Sequence, residues 1–284
     1  PIDVLHSSDW IQPRTRAKKV TTIHDLVIYR YPELSHPYIV ETQKRRLSWV
    51  KKECDMVLAD SLSTKKDLVS LLHFDPLRIE VVYPGINEIF TSQTEERKRV
   101  IKQKYRLPDE YILAVGTLEP RKNLKRVIHA FEKFSHHSLI LSRKTPIELI
   151  VIGNKGWGDR LPPGKYVRLL GFVEKRDLPA LYAAATFFVY PSLYEGFGLP
   201  ILEAMSCGCP AITSERGSLK EVAGDAAFLV DPEMEDDISS KMVKLYVDGN
   251  LREEFIKKGK INAERFSWQK TAREVLQIYK NLVS

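Results

Sequence analysis

The chain has 284 residues, 43% hydrophobic and 29% charged, which is enough for two globular domains with real cores and excludes a disordered or fibrous chain. No apolar run approaches the roughly 20 residues of a membrane-spanning helix, and the opening Ile2-Asp3-Val4 has neither the basic start nor the apolar stretch of a secretory signal. The net charge of +7 suits a phosphorylated ligand, an anionic membrane or nucleic acid without choosing among them, and Cys54, Cys207 and Cys209 match neither a zinc spacing nor a disulfide framework, which points to a reducing cytoplasm.

Residues 2–6 read as a short strand with no unit before it. A doubly wound domain rarely begins there, so earlier βαβ units are expected to be missing. The β-branched run Val20-Thr21-Thr22-Ile23 is a strand ending at His24-Asp25. A turn-rich stretch with Pro32 and Pro37 follows, and Val40, Leu47, Val50 and Cys54 recur at helical spacing over residues 40–54. Residues 56–59 form a strand, Ser61-Leu62-Ser63-Thr64 caps a helix running to about His73, and residues 79–83 form a strand stopped by Pro84-Gly85. The alternation predicts a parallel α/β sheet. Residues 91–106 are strongly charged with no long apolar run, which places the inter-domain connection near them. The predicted domains are 1–100, joined by a returning helix over 266–284, and 101–265.

In the second domain, strands are expected at 111–115, 148–152, 167–170, 186–190, 210–213 and 227–230, with helices at 124–134 and 178–184. The final helix, 266–283, places Val275, Ile278, Tyr279 and Leu282 on one face.

Three segments carry candidate chemistry. In Pro191–Met205 a strand gives way to a helix. Pro200 suits a first helical turn, Cys207-Gly208 suits the end, and Gly196 and Gly198 permit close backbone approach. The amides of Gly198 and Leu199 would head the helix, where unpaired donors and the dipole suit a phosphate. Glu195 before the helix and Glu203 within it can accept hydrogen bonds from sugar hydroxyls. The plainer reading makes Glu195 a turn residue and Glu203 part of a solvated face, but the whole combination favours a site.

The second segment, Gly116-Thr117-Leu118-Glu119-Pro120-Arg121-Lys122-Asn123, leaves a strand for a helix. Arg121 and Lys122 can neutralise a diphosphate leaving group. Cations there oppose the helix dipole, which a bound anion would explain. The third is His24-Asp25, where a structural and a catalytic histidine are evenly matched. Gly171-Phe172-Val173 after a strand could hold a base through backbone groups. The basic stretches around Arg14 to Lys19 and Lys44 to Lys52, with Trp49, fit either a peripheral contact with anionic lipid or a solvated face. There is no Asp-x-Asp triplet and no His/Cys cluster, so no required metal is expected.

The string LYAAATFFVYPSLYEGFGLPILEA, closing at Ala204, resembles the signature of family 4 of the retaining glycosyltransferases. The resemblance extends through VTTIHDL, VVYPGI, VGTLEPRKN, VIGNKGWGD, GFV, CGCPAITS and FSWQKTAREVLQIY, nearly the whole chain. It implies a GT-B architecture: two Rossmann-like domains with parallel sheets facing a cleft, the first incomplete here, because members usually carry an earlier βα unit with a glycine-rich loop. By this likeness Glu203 would bind the ribose and Glu195 a hydroxyl of the transferred sugar. Arg121 and Lys122 would hold the diphosphate with the amides near Gly198 and Leu199, in a site that also takes in Gly116, Gly196 and Phe197. Phe172 and Val173 would border the base, and His24 would contact the sugar and assist transfer. The implied reaction keeps the anomeric configuration and needs no obligatory metal. The likeness to bacterial or archaeal mannosyltransferases that build polysaccharides points to GDP-mannose as donor and a saccharide or lipid-linked saccharide as acceptor, with no nucleic-acid partner, in the cytoplasm or on the inner membrane face. A shortened remnant that binds without turnover, and a GT-B sugar-nucleotide epimerase, are the competing readings.

Overall fold

The computed structural model describes residues 2–7, 13–142, 146–156, 161–162 and 164–284, and the chain divides into two compact units. Trp157, Gly158 and Asp159 of the GNKGWGD segment lie outside the described residues.

The first unit comprises Pro1–Gly85, Glu195–Phe197 and Phe266–Ser284. Its leading part runs β1 (Val4–Ser7), β2 (Lys18–Ile23), α1 (Val27–Arg30), α2 (Pro37–Glu53), β3 (Met56–Ala59), α3 (Leu62–Leu72) and β4 (Ile79–Val81). The four strands pair in parallel in the order β1-β2-β3-β4, with α2 crossing from β2 to β3 and α3 from β3 to β4. Helix α2 begins three positions before the periodic residues do. Pro37 suits the first turn, and the His36 side chain accepts the Tyr38 N–H at 3.3 Å. Helix α3 is capped by Ser61, whose Oγ accepts from the Thr64 N–H at 3.0 Å. One sheet face buries Ile23, Val57, Ala59 and Ile79 against Leu47, Val50 and Leu68 of α2 and α3.

The second unit comprises Ile86–Tyr194 and Gly198–Arg265. It runs α4 (Glu95–Tyr105), β5 (Tyr111–Val115), α5 (Leu124–Ser135), α6 (Ser138–Leu141), β6 (Glu148–Ile152), β7 (Val167–Gly171), α7 (Leu178–Ala184), β8 (Phe187–Tyr190), α8 (Leu199–Ser206), β9 (Ala211–Ser214), α9 (Ser218–Ala223), β10 (Phe228–Val230), α10 (Glu235–Val247) and α11 (Gly249–Ala263). Its six strands are parallel in the order β10-β9-β8-β5-β6-β7. The chain builds outward from β5 in one direction, then returns to its other side at β8. This is the doubly wound arrangement, with its topological switch between β5 and β8.

The boundary between units falls at Gly85/Ile86, before the charged stretch rather than after residue 100. The reason is α4, which charge alone disguises as a linker. Only Ile101 is buried on it, but Asp177, 2% exposed, accepts from Arg97 (2.8 Å), Lys104 (2.5 Å) and Tyr105 (2.9 Å), which ties α4 to the start of α7. Burial pushes the Asp177 carboxyl up, but the bonds from Lys104 and Tyr105 and the charges of Lys104 and Arg97 outweigh it and hold it below the usual range. Residues 231–265, unassigned by periodicity, form α10 and α11. The first turn of α10 carries Glu235, Asp236 and Asp237, as the helix dipole favours, and Ile238, Met242 and Leu245 join the core around α5.

Helix α12 (Trp268–Val283) closes the chain in the first unit. Its Val275, Ile278, Tyr279 and Leu282 cover Val20, Leu58 and Val82 on the second face of the four-stranded sheet. Among the described residues no helix is long and apolar enough to cross a membrane.

Candidate functional site

Open α/β sheets bind ligands outside the carboxyl ends of their strands at the topological switch. In the second unit these ends are Val115 of β5 and Tyr190 of β8, the roots of two of the segments singled out in the sequence. The structure ties them together. The Leu193 N–H donates to the Arg121 carbonyl at 2.9 Å, and Asn123 Nδ2 donates to the carbonyls of Pro191 (3.0 Å) and Pro232 (2.6 Å). Asn123 is 4% exposed and left-handed at φ 61°, a conformation asparagine tolerates better than most residues.

Between strand and helix the chain makes a short 3-10 turn, Pro120–Lys122, that presents both cations. Lys122 Nζ donates to the Tyr190 hydroxyl at 2.6 Å and lies 5.2 Å from its ring centroid. Arg121 Nε donates to Glu119 Oε2 at 3.1 Å, so its charge is partly offset by a neighbouring carboxylate. The Lys122 stem lies over Gly116, where an added Cβ would stand 3.4 Å from Lys122 Cγ. A Cβ on Gly153 would stand 1.9 Å from the Gly116 carbonyl oxygen, so only glycine lets the end of β6 run this close to the end of β5.

Helix α8 starts where Pro200 predicted it, with Gly198 at the N-cap at φ 109°. It ends at Cys207, followed by left-handed Gly208 at φ 75°. Glu203 is not on a solvated face. Burial pushes its carboxyl up to about 7, while a hydrogen bond from the buried Tyr182 hydroxyl (3.2 Å) and the charge of Lys175 oppose the shift. The Ser192 Oγ, in the same loop region, is buried with no hydrogen-bond partner among the described residues. At the end of β7, Gly171 takes φ 69°; the following Phe172 is 72% exposed and Val173 is buried. Of these two, Phe172 therefore presents a side chain to solvent.

The first unit holds His24 and the tripeptide Glu195–Phe197. His24 follows β2 directly, and its Nδ1 lies 2.7 Å from Asp60 Oδ2, just past β3. The Thr64 Oγ1 stands 3.2 Å from the His24 carbonyl and 3.3 Å from that of Gly196. A Cβ on Gly196 would lie 1.9 Å from the His24 oxygen and 2.7 Å from Asp25 Cβ. Gly196, read from sequence as room for a ligand, is thus room for the His24 backbone. Phe197 is buried, its ring 6.0 Å from Tyr83 and 5.5 Å from Phe266, so its ring packs among aromatics. Glu195 is 7% exposed. A cavity of about 170 Å³ opens beside His24 and Asp25, with the buried Gln43 and Arg46 in its wall. A second, of about 290 Å³, is lined by Arg14, Lys19, Arg45, Arg46 and Trp49, with Glu53 paired to Lys19 at 2.8 Å.

Sequence reasoning missed Asp60, Asn123 and Tyr182 as parts of these arrangements. Asp60 carried a signal, because it stands one residue past a strand, as His24 does. Tyr182 and Asn123 act through residues far along the chain.

The pattern described as Glycosyl transferases group 1 matches residues 95–262, and that described as Glycosyltransferase Family 4 matches residues 1–89. The chain is 33% identical over 288 residues to O-antigen chain mannosyltransferase B of Escherichia coli, spanning 98% of this chain and 74% of that protein. It is 31% identical to the serotype-specific mannosyltransferase WbdA of Escherichia coli, over 94% of this chain and 34% of WbdA. In three dimensions it resembles sucrose-phosphate synthase from Thermosynechococcus elongatus, with TM-score 0.78, 20% identity, and coverage of 99% of this chain and 73% of that one. It also resembles Anabaena HepE in complex with UDP and glucose, with TM-score 0.79, 18% identity, and coverage of 94% and 72%.

Proposed function

Because the chain belongs to the group 1 glycosyl transferases, we propose that it moves mannose from GDP-mannose to a saccharide or lipid-linked saccharide with retention of configuration. Glycosyl transfer is the activity of the family; the donor, the acceptor class and the stereochemistry are the proposal. The observation that carries it is the switch point of the second unit. There the turn bearing Arg121 and Lys122 is bonded to the β8 loop, and α8 carries Glu203.

In this reading Glu203 accepts hydrogen bonds from the ribose hydroxyls, and Phe172 and Val173 border the base. Arg121 and Lys122, with the N–H groups of Gly198 and Leu199, hold the diphosphate and neutralise charge as it leaves. Glu195 takes a hydroxyl of the sugar and His24 assists. The bond from the sugar anomeric carbon to the diphosphate breaks, the bond to the acceptor oxygen forms on the same face, and the acceptor proton passes to the departing phosphate. No side chain becomes covalently attached and no metal is obligatory. The free, buried cysteines suit a cytoplasmic setting, and the exposed Arg45, Trp49 and Lys52 suit peripheral contact with an anionic membrane, tested by co-sedimentation with anionic vesicles.

The test is calorimetric titration of the chain with GDP, UDP and ADP, followed by mass analysis of products from GDP-mannose and a mannose-terminated acceptor. Selective GDP binding and a product heavier by one hexose support the proposal. Selective UDP or ADP binding reassigns the donor. Nucleotide binding without transfer marks a binding remnant, and an isomerised donor of unchanged mass marks an epimerase. Transfer that survives EDTA supports the metal-free step.

A further inference from the structure

In the first unit His24 is held both through its ring and through its backbone. The parallel register pairs Thr22 with Leu58 and Ile23 with Ala59, so the next residues on the two strands, His24 and Asp60, emerge side by side at the carboxyl edge of the sheet. Ile23 and Ala59 point into the core, and the alternation of a strand sends the following pair the other way. The ring meets the carboxylate at 2.7 Å, with the Asp60 side chain 14% exposed and that of His24 56% exposed. The backbone of His24 is fixed as well, by the Thr64 hydroxyl and by the bare Gly196.

A carboxylate can only accept, so the proton in this bond belongs to Nδ1. In the neutral form of the ring, that assignment puts the lone pair on the opposite nitrogen, Nε2. Asp60 also precedes the Ser61 cap of α3, where an acid suits the helix dipole. A dipole role alone would not require the carboxylate to reach back across to the next strand.

We infer that Asp60 is a positioning residue for His24: it holds the imidazole in the Nδ1–H tautomer and in one orientation, so that Nε2 accepts a hydrogen bond from a sugar hydroxyl during transfer. The inference rests on the transferase reading for the identity of that hydroxyl, and on geometry alone for the tautomer. The arrangement follows the general rule that a working histidine is oriented through the hydrogen bond made by its other nitrogen. No proton changes owner in this role. Asp60 keeps its charge, Nδ1 keeps its hydrogen, and the ring contributes one acceptor at a fixed point.

The experiment uses the whole chain labelled with nitrogen-15 histidine. In alkaline buffer, where the rings are neutral, the long-range proton–nitrogen spectrum reports which nitrogen of His24 carries hydrogen, with His24→Gln identifying the signals. The expected result is Nδ1–H in the wild type and a change to predominantly Nε2–H in Asp60→Asn and Asp60→Ala, since the asparagine amide can donate to Nδ1 and alanine removes the acceptor. In transfer assays Asp60→Asn is expected to lower kcat roughly 10- to 100-fold, with nucleotide affinity and donor KM within about twofold of wild type, the split a general loss of fold would not produce. A wild-type His24 protonated at Nε2, or an Asp60→Asn variant that transfers at the wild-type rate, overturns the inference. A chain that keeps the Nδ1–H tautomer but transfers no sugar overturns the transferase reading and with it the role of Nε2, while the hold of Asp60 on the ring stands.

Discussion

Glu203→Gln separates the burial of this carboxyl from its chemistry. The wild-type carboxyl, near 4.5 in an unfolded chain, is raised to about 7 by burial. The folded state therefore binds its proton more tightly than the unfolded state. Stability from this group is complete below about pH 4.5, declines as pH rises, and levels off above about 7. A shift of that size corresponds to about 3 kcal/mol at most. Glutamine keeps the shape and still accepts from the Tyr182 hydroxyl, but has nothing to ionise. The melting difference between variant and wild type should be small in acid and grow to roughly 5–10 °C in favour of glutamine by pH 8. Nucleotide binding should move oppositely. Ribose hydroxyls donate best to the ionised form, so wild-type affinity should rise with pH through neutrality. Binding should also release protons, visible as heats that depend on the buffer's ionisation enthalpy. Glu203→Gln should bind about 10- to 100-fold more weakly at pH 8, the loss of hydrogen bonds to a charged acceptor, with little pH dependence. A melting difference that is flat from pH 5 to 8 would refute the burial argument. Equal affinity in the two proteins would remove the ribose assignment.

His24→Ala should leave nucleotide titrations unchanged and lower transfer; weakened nucleotide binding would mean that the histidine serves the donor's nucleotide after all. Gly196→Ala should destabilise the first unit by about 2–3 kcal/mol in denaturant unfolding, because its Cβ would collide with the His24 carbonyl 1.9 Å away; a neutral result would show that the loop relaxes freely. Ser192→Ala removes a buried hydroxyl with no partner among the described residues and should leave the melting point unchanged or slightly higher. A loss above about 1 kcal/mol would contradict that account of Ser192.

Much of this molecule was legible because its signals are local. The run Tyr111–Val115 is a strand at the limits its residues suggest, and the same holds for Met56–Ala59 and Glu148–Ile152. Each is an apolar or β-branched stretch bounded within a few residues by turn formers or charge. Ser61 caps α3 and Pro200 opens α8 because a cap is decided by the residue and its next three neighbours. The candidate segments could be found for the same reason: they are where a strand stops and a helix begins.

Other features depend on residues far apart in sequence. Charge alone makes residues 91–106 a linker; they are a helix of the second unit because Asp177, some eighty positions on, gathers Arg97, Lys104 and Tyr105. Gly196 is read as open space until the His24 backbone is found against it. By itself, then, the sequence determined the alternating elements, the parallel α/β class and the strand ends where chemistry would sit, since these follow from periodicity and capping over a few residues. Only the tertiary structure decided that Glu195–Phe197 joins the first unit, that Asn123 bonds the two loops of the second, and that His24 meets Asp60. Those pairings are set by strand order and register, and no stretch of neighbouring residues encodes them.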